Sequence, residues 1–390
     1  MKSSKEYLTR LVQFGHRGSA TKNEKEAAEY IKKELENIGY QTEIHSFKTT
    51  RDNLYMLPLQ VGVLLLIAGL LSLLYGNIMN AIAFFLSIFG VMILLMEISG
   101  VPVETSIMPR FLSQNVFTKF DDTKEKKIIV SAHYDTQKAS IMFHPKVVDY
   151  LGLIYNISYF GFALVPLGIV FNVLKMYFLG NILLKIGLLI VIANIIFMTI
   201  CEITGKYTQG ANDNGTGVSL ALALAEYYVL NQDKFPGNVD IVFLFTGSEE
   251  TGERGMKYFI KRYGRKLPQD TQFIILDNLG WGKITYLEGE GMIFYKKAGK
   301  MLLEIADAMR KENKDKVQRM KNLLLPTDAL PVMTAGFDAI AFLAKDEKGR
   351  LGNYHWHTDT IENVDMKLLE YEEGFFKEYL KRVAESLSKR

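Results

Sequence analysis

Four apolar blocks cut an otherwise polar chain into three pieces, and any fold must accommodate them. Residues 57–75, 78–98, 150–177 and 178–200 carry almost no charge. Each runs about twenty residues or more, enough as a helix to cross a hydrocarbon core of roughly 30 Å. They come as two adjacent pairs, joined at Gly76-Asn77 and near 175–181, which predicts two transmembrane hairpins, 53–99 and 148–202. Buried core helices are the competing reading, but four paired segments so bare of charge do not suit a soluble core. The chain is 48% hydrophobic with a mean hydropathy of +0.06, and the apolar excess lies in these blocks.

An even number of crossings puts residues 1–52, 100–147 and 203–390 on one side, as one domain interrupted twice. The first fifty residues are polar, so no cleavable leader is visible and the first block is the expected targeting signal. Lys48, Arg51, Arg110 and Lys206 flank the blocks, and the positive-inside tendency then places that domain in the cytoplasm, on a multi-pass cell-membrane protein. The single Cys201 excludes an intramolecular disulfide framework and suits a reducing compartment. Apart from Lys185, and Glu97 and Glu202 at block ends, the blocks offer no ionisable relay, which argues against a transporter. A net charge of +3 gives no footprint for nucleic acid.

The polar pieces read as α/β. Residues 126–132, 239–247 and 272–276 are short apolar runs bounded by charge or turn residues, which suits buried strands of a parallel sheet. Further strands fit 41–47, 115–120, 284–287 and 338–343. Apolar periodicity predicts helices over 23–37, 217–231, 253–263, 294–312 and 366–388. The expected architecture is a mixed, mostly parallel central sheet sandwiched by helices. Three of the runs end on residues that ligate metals: His133 in Ser-Ala-His-Tyr-Asp135, Glu249-Glu250 after Gly-Ser, and Asp277 in Ile-Leu-Asp-Asn. The carboxyl ends of strands are where open α/β sheets place their sites. Asp213 in Ala-Asn-Asp-Asn-Gly and His355 in Tyr354-His-Trp-His357-Thr-Asp359 complete a set of imidazoles and carboxylates that zinc accepts. Two metal ions held close together activate a water and polarise a carbonyl, while a carboxylate outside the ligand set moves the proton. Adjacent glutamates can divide that labour, because neighbouring side chains at a strand-to-loop turn point apart.

Taken together these segments resemble the co-catalytic di-zinc aminopeptidase family, with its bacterial leucyl aminopeptidase, glutamate carboxypeptidase and transferrin-receptor branches. The resemblance extends to the 16–44 stretch, beginning His16-Arg17-Gly-Ser-Ala. It implies a zinc exopeptidase fold with two zinc ions. Asp213 would bridge them, Glu250 and His355 would complete one site, and His133 with Asp277 the other. Glu249 would be the general base, Asp135 would orient the His133 ring, and the Asp213-Asn214 peptide would be cis. The family pattern Tyr-His-x-x-x-Asp-Thr selects His355, four residues before Asp359, with His357 as the alternative. Tyr354 is a candidate donor to the developing oxyanion. Many relatives have histidine where Ala329 stands here, a change that bears on specificity rather than metal binding.

Each motif has a plainer reading. A lone His-x-Asp is most often a surface or core pair, and Asp-Asn-Gly is usually a turn. His16, His45 and His144 are left to that reading, as surface or packing residues. The function that follows is a membrane-anchored zinc aminopeptidase acting on peptides or the exposed ends of membrane proteins, with the lipid bilayer as its setting. Cobalt or manganese could occupy the same ligands. A single-zinc glutaminyl cyclase and an inactive receptor of the same fold are the alternatives.

Overall fold

The computed structural model describes residues 1–51, 56–101 and 110–390. Positions 53–55 of the first expected hairpin and 102–109 of the expected polar domain lie outside them. The chain divides into two compact units, one of Met1–Arg51, Ser99–Ala139 and Tyr207–Arg390, the other of Asp52–Ile98 and Ser140–Lys206.

The first unit is built on a nine-stranded sheet. Its centre is parallel, in the order Val239–Thr246, Lys126–His133, Gln272–Leu276, Asp338–Lys345. Antiparallel strands flank it: Phe111–Thr118 and then Thr42–Thr49 on one side, Lys283–Glu290 on the other. Val317–Asn322 adds a parallel edge to the 283–290 strand, and Lys296–Lys297 an antiparallel one. The sheet is thus mixed, with parallel pairing concentrated in the middle rather than dominant throughout.

Side-chain alternation explains why the central strands are apolar along their whole length. Ile128, Val130, Phe243, Phe245, Ile274, Ile340 and Phe342 enter one core layer. Ile129, Val242, Leu244, Phe273, Ile275, Ala341 and Leu343 enter the other. The first layer packs against helices Lys22–Ile38, Gly217–Leu230, Lys300–Glu312 and Met366–Ser388, and the second against Arg254–Tyr263 and Ala329–Thr334. Each large apolar side chain buried this way is worth ~1.5–3 kcal/mol of transfer free energy, so neither face tolerates a polar strand. The helices start and stop on local chemistry. Thr21 accepts from the Glu24 amide to open the 22–38 helix, and Gly39 closes it at φ +112°, a left-handed conformation that glycine reaches without Cβ strain. Asp365 accepts from the Lys367 and Leu368 amides to open the last helix.

One expected helix is shorter than its apolar period. Residues 294–312 contain a helix only from Lys300, because Lys296–Lys297 pair with Gly289–Glu290 as a strand.

The second unit consists of helices Met56–Ser72, Asn77–Ile98, Leu151–Val173 and Tyr177–Thr204. Its core includes Val61, Leu65, Ala83, Phe162, Val165, Leu184, Leu188 and Val191, while Phe85, Phe178 and Leu189 are exposed. Among the described residues, three helices are long and apolar enough to cross a membrane: Asn77–Ile98, Val148–Val173 and Tyr177–Thr204. The fourth expected span differs. Its helix has 17 residues and ends at Ser72, where the Leu74 and Tyr75 amides bond to Leu71 and Ser72 carbonyls and close a tight turn. Buried polar pairs stitch these helices. Ser72 donates to Asn80 at 2.8 Å, Asn172 to Ser72 at 3.1 Å, and Asn194 to Ser158 at 2.7 Å.

Candidate metal centre

The central strands deliver three of the candidate residues from adjacent ladders. His133 is the last residue of its strand, opposite Thr246. Asp277 follows the next strand, and its amide donates to the Phe342 carbonyl at 3.0 Å. Between Thr246 and Glu249 the chain turns sharply, with Ser248 at φ +55°. The Asp135 carboxylate holds that turn, accepting from the Glu249 amide at 2.9 Å and the Glu250 amide at 3.1 Å. Its Oδ1 also lies 3.6 Å from His133 Nδ1. One carboxylate therefore holds the turn that carries the paired glutamates and lies beside the imidazole.

Asp213 comes from the turn Ala211–Thr216, which contains a cis Asp213-Asn214 peptide bond. The Asn214 side chain anchors the turn, donating to the Leu276 carbonyl at 2.9 Å and accepting from the Gly217 amide at 3.0 Å. Asp359 accepts from the Asn212 amide at 2.6 Å. His355 sits at φ +48° in the turn that precedes Asp359, with the Tyr354 ring stacked on its imidazole at 3.7 Å.

The two oxygens of Asp213 face different partners. Oδ1 lies 3.2 Å from His133 Nε2, which is itself 3.3 Å from Asp277 Oδ1. Oδ2 lies 3.0 Å from His355 Nε2, which is 3.0 Å from Glu250 Oε2. His133, Asp213 and Glu250 also offer ligand atoms within 4.8 Å of one another. His357 is exposed, beside Trp356. His16 stacks on Tyr207 and His45 packs against Tyr263, while His144 belongs to the helical unit, its Nδ1 accepting from the Lys146 amide.

The electrostatics describe a surplus of negative charge in a dry place. Burial pushes the Glu250 carboxyl up to about 7, partly opposed by His355. Burial also drives Glu249 well above the carboxylate range, with His133 opposing and Glu250 and Asp328 adding to the rise. For Asp213 burial raises the pKa, but hydrogen bonds with His133 and His355 outweigh it and leave the carboxyl below its ordinary range. His355 is pushed up to about 10 by Glu250 and Asp213 against the effect of burial. Glu250 Oε1 is buried and has no hydrogen-bond partner among the described residues. Carboxylates clustered so tightly repel one another unless cations lie among them, and the two imidazoles place nitrogen donors in the same cluster. The donor set therefore fits zinc, whose ligands are imidazole nitrogen and carboxylate oxygen.

Four further residues belong to this pocket and were not singled out as site residues in the sequence. Asp328 is fully buried, accepts from Thr246 at 2.6 Å and is pushed up to about 7 by burial. Gln137 donates to the Glu250 carbonyl at 3.0 Å. Arg17 and Asp359 brace the loops around Asp213. Asp359 closes the 354–359 segment and Asp328 immediately precedes Ala329, so acidity at those two positions was the available signal. Nothing in the local sequence of Arg17 or Gln137 marked their partners.

Comparison with known proteins agrees with this fold. The profile of Peptidase family M28 matches residues 198–373, a stretch that includes Asp213, Glu249, Glu250, Asp277 and His355 but not His133. No curated protein matches the chain. LapB from Legionella pneumophila superposes with a TM-score of 0.56 at 14% identity, covering 98% of this chain and 71% of that one. A Zn-dependent exopeptidase from Parabacteroides distasonis gives 0.55 at 14% identity, over 100% and 97% of the two chains. The glutaminyl cyclase of Bacteroides thetaiotaomicron, bound to N-acetylhistamine, gives 0.56 at 14% identity, over 98% and 96%. At such identities the likeness establishes architecture: a mixed α/β sheet flanked by helices, like that of the zinc exopeptidases, with similarity to Peptidase family M28 over residues 198–373.

Proposed function

We propose that this chain is a membrane-anchored, zinc-dependent aminopeptidase. The observation that carries the reading is the division of the Asp213 carboxylate between a His133–Asp277 pair and a His355–Glu250 pair. Two zinc ions held by these sets, with Asp213 shared, would supply Lewis acidity toward the scissile carbonyl and acidify a water. The remaining steps fall to the chain. Glu249, outside both pairs yet beside His133, takes the water proton on a carboxylate oxygen and delivers it to the leaving amine. Asp135 fixes the imidazole of His133 and the turn carrying Glu249, so neither must reorganise during the reaction. Burial and the Asp213 and Glu250 carboxylates push the Tyr354 phenol well above its usual range, which keeps its proton available for donation to the oxyanion.

The helical unit, with three span-length apolar helices, supports anchorage in a bilayer. We read its helices as two hairpins giving four crossings, with the catalytic unit in the cytoplasm. Apolar peptides and the exposed ends of membrane proteins are the substrates such a setting favours.

A glutaminyl cyclase using one zinc is the second reading, favoured by fold neighbours of that activity. The presence of both His133 and Asp277 favours two metals and hydrolysis. A substrate panel separates the readings: peptides with a free amino terminus, the same peptides N-acetylated, and peptides beginning with glutamine. Release of the first amino acid from the free peptides alone is the expected result. Ammonia release from the glutamine peptides without cleavage would select the cyclase. Cleavage of acetylated peptides would remove the aminopeptidase assignment.

A further inference from the structure

We propose that Arg17 is the positioning residue that sets the spacing between His133 and the shared Asp213 in the metal-ligating set. The inference rests on the metal reading above but concerns a side chain to which no role has been assigned.

Arg17 is fully buried and sits in a hook. The His16 ring stacks on Tyr207 at 4.5 Å, and Gly18 lies so close beneath the same ring that a Cβ there would come within 2.1 Å of it. From this hook the guanidinium donates in three directions. Nε reaches the Tyr134 carbonyl at 2.6 Å, Nη1 the Gln209 carbonyl at 3.0 Å, and Nη2 the Gly210 carbonyl at 2.8 Å. The Arg17 amide adds a bond to Thr136 Oγ1 at 3.0 Å.

These partners lie on two loops. Tyr134 stands between His133 and Asp135, and Gly210 is three residues before Asp213. One planar group thus ties the loop carrying His133 to the loop carrying Asp213. The fit leaves no slack at Gly210, which sits at φ +65° and where a Cβ would meet Arg17 Nη2 at 2.9 Å and the Asp213 carbonyl at 2.8 Å. On its far side the same loop is held by Asp359, which accepts from the Asn212 amide.

Charge adds to geometry. Burial lowers the Arg17 pKa to about 10 while Asp359, Asp135, Asp213 and Glu250 oppose the fall, so the guanidinium stays a resident cation facing the surplus acid around the donor set. It donates to backbone carbonyls, not to the proposed ligand atoms, so its influence on the donors runs through the loops. A lysine would keep the charge but has no rigid fork to span three carbonyls.

The test uses full-length protein in detergent. Zinc affinity is measured by competition with a chelator for wild type, Arg17→Met and Arg17→Lys, alongside the Tm of each metal-free form and kcat and KM. Arg17→Met is expected to weaken zinc binding by about 10–100-fold, the usual cost of losing a residue that orients ligands. Its kcat should fall while KM stays within about twofold, because the spacing of the donors matters to the reaction more than to substrate contact. Arg17→Lys should fall between Arg17→Met and wild type. A folded Arg17→Met with wild-type zinc affinity overturns the proposal. If Arg17→Met does not fold, Thr136→Val removes one bond of the same clamp: a measurable loss of zinc affinity supports the proposal and an unchanged affinity overturns it. Wild-type protein that takes up no zinc would remove the metal reading and this proposal with it. Wild type that binds zinc beside an Arg17→Met of equal affinity would overturn this proposal alone.

Discussion

Both units bury polar side chains, but the balance differs. In the helical unit most buried polar groups are neutral, with Glu97 the acidic exception, and several meet each other: Ser72 with Asn80 and Asn172, Ser158 with Asn194. Such pairs fix how helices face one another, each contributing about 0.6–2 kcal/mol, even though Asn172 Oδ1 and Asn194 Oδ1 are left without a hydrogen-bond partner among the described residues. In the sheet-based unit charged groups are buried as well, and around Asp213 too many of them are acidic. Asp213, Glu249, Glu250, Asp277, Asp328 and Asp359 share the region with two histidines and Arg17. A neutral pair calls for no counter-ion even when one of its oxygens is unpartnered, whereas a surplus of carboxylates needs a cation. Buried polarity therefore reads as helix registry in one unit and as a metal requirement in the other.

The largest break in that comparison comes from Glu249. As a base outside both ligand pairs, Glu249→Gln should keep its metal and lose turnover by a factor of about a hundred to ten thousand, read from zinc content and kcat on the same preparation. Loss of zinc in Glu249→Gln with retention in Glu250→Gln would invert the roles of the pair.

The two histidines of the 354–359 segment give the next test. His355→Ala should lower metal content and activity together, because its Nε2 lies 3.0 Å from both Asp213 and Glu250. His357→Ala, at an exposed position, should change neither. Equal effects would mean that the turn repacks to present either ring.

Glu372 sharpens the contrast without touching the metal residues. Both its oxygens accept from the Gly280 amide, at 3.1 and 3.0 Å, yet burial still pushes the carboxyl up to about 8. Its folded pKa exceeds that of an unfolded glutamate, about 4.3. The native state therefore holds this proton more tightly, and its contribution is complete below pH about 4.3. That contribution is lost as the pH rises toward 8. Glu372→Gln should flatten this decline and raise stability at pH 9 by something on the order of 1–3 kcal/mol, measured by thermal unfolding across the window. A wild-type profile in the variant would show that Glu372 ionises freely in the fold.

The smallest effect is expected in the helical unit. Asn172→Leu should cost about 1 kcal/mol of helix association and leave zinc content unchanged, with Tm and elemental analysis as the readouts. A loss of zinc would mean that the helical unit controls the donor set.

Much of the fold was legible because apolar runs and ligand residues sit at strand ends. The 126–133, 239–246 and 272–276 strands were readable from three to five consecutive apolar residues, and the convergence of His133, Glu249, Glu250 and Asp277 followed from their common edge. The Val317–Asn322 strand, Val-Gln-Arg-Met-Lys-Asn, was not legible, since an edge strand can be polar along most of its length. Lys296–Lys297 hid inside a helical period for the same reason, pairing decided by a distant strand rather than by local pattern. Arg17 was invisible as a clamp because its partners lie 117 to 193 residues away. The shortened helix at 56–72 was obscured because Leu73, Leu74 and Tyr75 are as apolar as the helix they end.

The account stands most directly on metal stoichiometry. Full-length protein, purified in detergent and loaded to saturation with zinc, should contain two zinc ions per chain by elemental analysis, and Asp213→Asn should lower that number because both donor pairs lean on one carboxylate. A reproducible single zinc in saturated wild-type protein would contradict the division of Asp213 between two sites.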